Sequence, residues 1–206
     1  ILQKNDIIAC AQTGTGKTAA FTLPILQMME ASKTNQIRRT IKALILAPTR
    51  ELATQISENV RDYGANLNFT HATVFGGVSQ TQQVNALRRG IDILIATPGR
   101  LLDLMQQGFV NLNHVEYFVL DEADRMLDMG FINDMRKVIA KLPAKKQTMF
   151  FSATAAPNIM QLANTILKNP VHVAVSPVSS TATLVQQSVY YVKREDKRLL
   201  LKHVLK

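Results

Sequence analysis

The sequence predicts a doubly wound α/β domain: a mostly parallel central sheet with helices on both faces. Three observations predict it. Short apolar runs alternate with helix-length stretches along most of the chain. These runs are rich in Val, Ile, Leu and Phe and do not alternate with polar residues, the pattern of strands buried on both faces. Gly-rich or acidic turns follow several of the runs, and in such sheets ligands bind beyond the carboxyl ends of the strands.

The elements follow in order. Residues 7–11 form the first apolar run, a Gly-rich turn comes next, and a helix is expected over 17–31. The run at 43–47 precedes a helix over 50–67, and 72–75 precedes one over 79–89. The run at 91–96 leads to a helix over 98–107, 115–120 to one over 132–141, and 148–151 to one over 157–167. The run 171–175 closes the series. Residues 176–184 are small and polar, with Pro177 and several Ser and Thr, and read as an interdomain linker. Beyond them 185–192 resembles a strand and 196–206 an amphipathic helix, one β–α unit too small for its own core. The expected organisation is one α/β domain over 1–175, a linker over 176–184, and the beginning of a second domain over 185–206.

Composition narrows the function. Hydrophobic residues make up 47% of the 206, enough for a substantial core. The formal net charge of +9 favours polyanionic partners. With 4 Tyr, 8 Phe and no Trp, an aromatic base-stacking platform is disfavoured. The single Cys10 cannot form an intramolecular disulfide and fits a reducing, cytoplasmic setting. No apolar run is long enough to span a bilayer, so no membrane role is expected. The four histidines lie far apart without metal-ligand spacing, and Met126, Met129 and Met135 are expected to pack beside an acidic loop. Residues 35–42 read as an exposed, charged loop.

Two motifs carry chemistry. Ala11, Gln12, Thr13, Gly14, Thr15, Gly16, Lys17 and Thr18 follow a strand and open a helix. Glycines there let backbone N–H groups turn inward around phosphate oxygens, and the helix N-terminus adds positive partial charge. Lys17 would reach the β- and γ-phosphates, and the Thr18 hydroxyl would ligate Mg²⁺. Ala11 stands where the usual pattern has Gly. The second motif, Asp121-Glu122-Ala123-Asp124, ends an apolar strand. Asp121 would hold Mg²⁺ directly or through water, Glu122 is the better group to polarise an attacking water, and Asp124 would accept from a neighbouring hydroxyl. Either turn alone need only cap a helix; together they define a site for ATP and Mg²⁺.

Three further segments sit at strand ends. Thr49 is placed to N-cap a helix, and Thr97 before Pro98 repeats the device. Arg50 and Arg100 add charge-assisted donors beside helix N-termini. Gly76 and Gly77 allow another backbone to approach closely. Each segment alone is accounted for by ordinary capping chemistry; together they would hold a sugar–phosphate chain without reading its bases.

The Asp-Glu-Ala-Asp tetrad resembles the signature of DEAD-box helicases. Pro48-Thr49-Arg50-Glu51-Leu52, Gly76-Gly77, Thr97-Pro98-Gly99-Arg100 and Ser152-Ala153-Thr154 resemble that family's other motifs in its order. The likeness runs from Asp6 to about Val175, and the linker region is similar to that of bacterial RhlE-like members. The resemblance implies a RecA-like P-loop NTPase domain followed by the start of a second one. It implies an RNA-dependent ATPase that separates short RNA duplexes, contacting RNA through Pro48, Thr49, Arg50, Gly76, Gly77, Thr97, Gly99 and Arg100. It implies that Ser152 and Thr154, through Asp124, couple nucleotide state to strand separation, and that Lys17, Asp121 and Glu122 serve catalysis. Discrimination against DNA through 2′-hydroxyls is likewise implied by the resemblance. The family's adenine-reading segment would lie before residue 1, and its arginine fingers in a second domain beyond 206. Weak nucleotide binding and slow hydrolysis are therefore expected of these 206 residues alone. A monomer is expected; ribosomal or degradosome-type partners stay open. The competing readings are a DNA helicase or translocase on the same core, a non-catalytic RNA clamp locked by nucleotide, and a P-loop NTPase acting on protein partners.

Overall fold

The computed structural model describes residues 1–12, 14–32, 39–174 and 188–205. Seven parallel strands form one sheet in the order β3-β4-β2-β5-β6-β1-β7. They are β1 (Ile7–Cys10), β2 (Ala43–Leu46), β3 (His71–Val74), β4 (Ile93–Ala96), β5 (Tyr117–Leu120), β6 (Gln147–Ser152) and β7 (Val171–Ala174). The helices between them are α1 (Lys17–Ala31), α2 (Arg50–Tyr63), α3 (Gln80–Arg89), α4 (Pro98–Gln106), α5 (Ala123–Asp128), α6 (Ile132–Ile139) and α7 (Pro157–Ile166).

Alternation along each strand divides the core. Ile7, Ala43, Ile45, Ile93, Ile95, Val119, Met149 and Phe151 face α1 and α2, where they meet Phe21, Ile25, Ile56 and Val60. Ile8, Leu44, Leu46, Leu94, Phe118, Leu120 and Phe150 face α3 to α7, packing with Leu101, Leu104, Met126, Met135, Val138 and Leu162. Central strands β2, β4 and β5 are buried throughout, which explains their unbroken apolar sequences. The expectation of burial on both faces fails at the edges. In β3, His71 and Thr73 are half-exposed, and all four residues of β7 are exposed, because edge strands pair on one side only.

Other expectations need correction. The second helix stops at Tyr63 rather than 67, and Gly64 follows as its C-cap. The acidic tetrad reads as a loop in sequence, yet Ala123–Asp128 forms a short helix. Ala123 and Met126 point into the core from it, and Gly130 at φ 80° closes the turn after it. Met129 is exposed rather than packed. Arg39 and Lys42 are not simply solvated: Arg39 pairs with Asp92 and binds Asn68, and Lys42 pairs with Glu116 at 3.5 Å. The expected linker at 176–184 lies outside the described residues. So does the start of the expected strand at 185–192, while residues 188–193 have no regular structure and no strand partner among the described residues. A lone strand has no ladder to stabilise it. A helical segment α8 (Lys197–Val204) follows a 3-10 turn, Arg194–Asp196.

Buried polar clips fix the end of the sheet away from the motifs. Asp6 accepts from the Thr148 and Lys168 N–H groups, both at 2.7 Å, and Gln147 donates to the Ile1 and Asn5 carbonyls. At the other edge Asp92 accepts from the Thr70 N–H at 2.8 Å and from the Arg39 guanidinium. Charge-assisted bonds of this kind contribute about 1.5–3 kcal/mol each.

Candidate nucleotide site and adjoining strand-end surface

The strand order gathers the motifs. Along the carboxyl edge of the sheet, the ends of β1, β6 and β5 are consecutive, and the ends of β2, β4 and β3 continue the row. The Gly-rich loop follows β1, Ser152–Thr154 ends β6, and the acidic tetrad follows β5. Thr49–Arg50 follows β2, Thr97–Arg100 follows β4, and Gly76–Gly77 follows β3. Segments scattered through the sequence therefore form two contiguous halves of one edge.

In the first half, α1 begins at Lys17 with Gly16 as N-cap at φ 86°, a conformation suited to glycine. No side chain caps this helix and its first turn holds no acidic residue. Its leading N–H groups are therefore free to meet an anion. Thr15 Oγ1 donates to the Gln12 carbonyl at 2.8 Å, tightening the loop, and Gly14 and Gly16 have open space where a side chain would stand. The Ala11 N–H bonds the Ser152 carbonyl at 3.0 Å and Ala11 is buried, so its methyl group is accommodated within the fold. Gln12, Gly14, Thr15 and Gly16 are exposed and Thr18 is half-buried. The expectation for Thr13 falls outside the described residues. Phe21 stacks at a tilt on Phe151, centroids 5.3 Å apart, which seats α1 on β6.

Lys17 is the anomaly of this site. It is 9% exposed, and its Nζ is buried without a hydrogen-bond partner. A buried ammonium without a partner is costly unless a ligand completes it. Asp121, 2% exposed, lies near enough for Lys17 to act on its acidity. Burial pushes the Asp121 carboxyl up to about 6. Lys17 opposes that shift, Glu122 adds to it, the Glu122 N–H opposes it at 3.0 Å, and Asp124 adds to it. Glu122 takes a left-handed backbone, φ 52° and ψ 52°, uncommon for a non-glycine residue and costing roughly 1–3 kcal/mol. Its carboxylate meets Arg125 at 3.3 Å.

Asp124 turns toward β6. Its Oδ2 accepts from the Ala153 N–H at 3.1 Å and the Thr154 N–H at 3.0 Å. This corrects the expected hydroxyl partner: two backbone amides fill the role, because the chain after Ser152 leaves the ladder with its N–H groups unpaired. Ser152, 1% exposed, donates its hydroxyl to the Thr154 carbonyl at 2.8 Å. The acidic tetrad and the turn after β6 are thus directly joined.

A divalent cation fits part of this set. Among the described residues no cluster of three or more metal-ligating His, Cys, Asp or Glu exists. Magnesium asks for less, commonly one or two carboxylates with phosphate oxygens and waters. A phosphate chain against the orphaned Lys17 Nζ would bring those oxygens to Asp121 and the Thr18 hydroxyl.

In the second half, Thr49 caps α2 as expected, accepting from the Leu52 N–H at 3.2 Å. Thr97 precedes α4 but makes no side-chain cap; Pro98 at the first helical position has no N–H to satisfy. Arg50 is exposed, with Glu51 3.5 Å away. Arg100 is largely buried, 3.6 Å from Asp103, and its Nη1 is a buried donor without a partner. Pro48 is buried and Gly99 half-buried. Gly76 and Gly77 are exposed with nothing near them, Gly77 at φ 80°. Sequence reasoning missed Gln83 on α3, 8% exposed, which bonds both polar groups of the Phe75 backbone. A polar residue on the buried side of a helix, eight positions past Phe75, was the available signal. The Arg125–Glu122 pair follows from their spacing of three on a helix.

Open cavities also occur away from these segments. One of about 650 Å³, walled by Leu102, Met105, Val110 and Leu112, sits between α4 and the start of β5, with Lys137 and Lys141 at its rim. Cys10 is half-buried, its thiol pKa raised by burial and then by Asp124, which disfavours the reactive thiolate. Among the described residues no helix is long and apolar enough to cross a membrane.

An all-parallel sheet with a glycine loop and an acidic strand end on either side of one intervening strand defines a RecA-like P-loop nucleotide-binding domain. The profile of the family described as DEAD/DEAH box helicase matches residues 1–162, and the chain belongs to that family. It is 42% identical over 212 residues to a DEAD-box ATP-dependent RNA helicase of Oryza sativa, covering 96% of this chain and 35% of that protein. It is 41% identical over 194 residues to the RNA helicase CrhR of Synechocystis, covering 94% of this chain and 38% of that protein. A crystal structure described as a hypothetical ATP-dependent RNA helicase from Sulfolobus tokodaii superposes with a TM-score of 0.75 at 37% identity, covering 84% of this chain and 49% of that one. The chain thus spans little more than a third of the curated relatives it matches.

Proposed function

We propose that this chain is the nucleotide-binding half of an ATP-dependent RNA helicase. It binds ATP and the backbone of single-stranded RNA and, with a second domain, hydrolyses ATP to separate short RNA duplexes. The observation that carries this reading is the two-part strand-end row, phosphate-directed groups over β1, β6 and β5, and exposed glycines, helix N-termini and arginines over β2, β4 and β3. The relatives' descriptions as RNA helicases support it.

In this reading the loop 11–18 wraps the phosphates, and Lys17 supplies its unpartnered ammonium to them. Thr18 and Asp121 would hold Mg²⁺, which would supply positive charge beside the phosphates. Glu122 takes the proton from the attacking water. Asp124 reports the state of the pocket to Ser152–Thr154 through its two amide bonds. RNA lies along Thr49, Arg50, Gly76, Gly77, Thr97, Gly99 and Arg100, where the buried free donor of Arg100 meets a phosphate. Pro48 shapes the turn before Thr49. Residues 1–175 form this domain, 176–184 a linker, and 185–206 the start of the second domain. The protein works as a monomer in the cytoplasm.

ATPase assays of the full-length protein with matched RNA and DNA duplexes test this. Turnover should rise with RNA and fall to near background in E122Q. Equal stimulation by DNA would favour a translocase on the same core, and unchanged turnover in E122Q would leave a nucleotide-locked clamp.

A further inference from the structure

We propose that Gln83 is a positioning residue for RNA binding, holding the root of the Gly76–Gly77 loop through a two-point amide clamp on Phe75. This rests on the reading that the glycine pair contacts RNA.

Strand β3 ends at Val74, whose carbonyl accepts from the Thr97 N–H at 3.0 Å as the last ladder bond. The next peptide groups have left the sheet. Gln83 reaches across from α3 and replaces the missing neighbour. Its Oε1 accepts from the Phe75 N–H at 3.2 Å, and its Nε2 donates to the Phe75 carbonyl at 3.1 Å. One side-chain amide thus pairs both polar groups of one residue, as an adjacent strand would. The partners fix the orientation of the amide, since only Nε2 can face a carbonyl. Gln83 is 8% exposed, so the clamp is shielded from competing water.

The ring of Phe75 packs on the opposite core, the one shared by α1 and α2. Phe75 is therefore held from both faces of the sheet, by its ring on one and by its backbone on the other. Directly after it, Gly76 and Gly77 stand in open space, with no atom within 4 Å of where a Cβ would lie. The loop is rigid at its base and bare at its tip. A bare glycine backbone gains affinity for a sugar–phosphate chain only if it is already in place, because ordering it on contact costs free energy. Gln83 supplies that order without touching the ligand.

The test uses the full-length protein with a non-hydrolysable ATP analogue and fluorescent single-stranded RNA. Q83L should weaken RNA binding roughly tenfold while nucleotide affinity stays within about twofold. Q83E keeps the acceptor for the Phe75 N–H but sets a carboxylate against the Phe75 carbonyl. Its deficit relative to wild type should shrink as pH falls and the buried carboxyl protonates into a donor. A residue that served folding alone would lower the melting temperature without this split between RNA and nucleotide. R50A serves as the reference. If R50A weakens RNA binding and both Gln83 variants leave it unchanged, the clamp is overturned and the RNA edge stands. If R50A and the Gln83 variants all bind RNA as wild type does, the RNA edge itself is overturned, and the clamp with it. Equal loss of RNA and nucleotide affinity in Q83L, with no pH recovery in Q83E, would also overturn the proposal.

Discussion

Replacing Asp121 with Asn should make the ligand-free chain more stable at neutral pH. Folding moves this carboxyl from 3.8 to about 6, first because the group is buried and despite the attraction of Lys17. At 2% exposure it has little solvent to screen it. The folded state then binds the proton more tightly than the unfolded chain. Stability is highest below the unfolded value, declines as pH rises from about 4 to about 6, and stays reduced above that. The displacement corresponds to an upper figure of about 3 kcal/mol, and relaxation around the charge brings the expected cost to roughly 1–3 kcal/mol. D121N removes the ionisable group while keeping its size. Urea unfolding in a chelating buffer without nucleotide, at about pH 7.5 and about pH 4.5, measures the effect. D121N should exceed wild type at the higher pH and lose most of that advantage at the lower. Adding ATP and Mg²⁺ should stabilise wild type more than the variant, since ligand bound only to the native state raises stability. A variant no more stable than wild type at the higher pH, or an advantage that does not change with pH, would refute the reasoning.

Three further outcomes are expected. K17A should lower nucleotide affinity roughly 10- to 100-fold, the scale of one charge-assisted contact, with only a small change in melting temperature, as Nζ has no hydrogen bond to lose and its attraction to Asp121 is offset by relief of its own burial; fluorescent-nucleotide titration and thermal unfolding read the two. D124A should free the Ala153 and Thr154 amides, cost about 1–2 kcal/mol of stability at these exposed bonds, and reduce RNA stimulation of turnover more than nucleotide affinity. D6A should cost about 2–4 kcal/mol in urea unfolding, because the Thr148 and Lys168 amides both lose their acceptor.

The fold was legible in the sequence because its central strands are apolar on both faces and so read as unbroken runs. Strand β2, Ala-Leu-Ile-Leu, leaves no ambiguity. The helix ends were legible where chemistry marks them, as Thr49 does for α2. Short α5 was not, since six residues carry too little period and the tetrad's carboxylates resemble a loop. The phosphate loop and the acidic strand end could be named from sequence, but nothing in their spacing says that a single strand, β6, separates them. That depends on the order in which strands pair, a long-range choice made by packing. The same limit hid Gln83, whose partner is a backbone group and therefore has no side-chain signature, and the partners of Asp124, which are amides for the same reason.

Parallel strands also send every turn that enters a strand to the opposite end of the sheet. The turns entering the strands, such as Pro143–Lys146 before β6, lie a full strand length from the Gly-rich loop and from the glycine pair. If the proposed function holds, a dye or affinity handle attached there would leave both halves of the carboxyl edge clear, whereas the same handle on the turn after any strand from β1 to β6 would land in one of them.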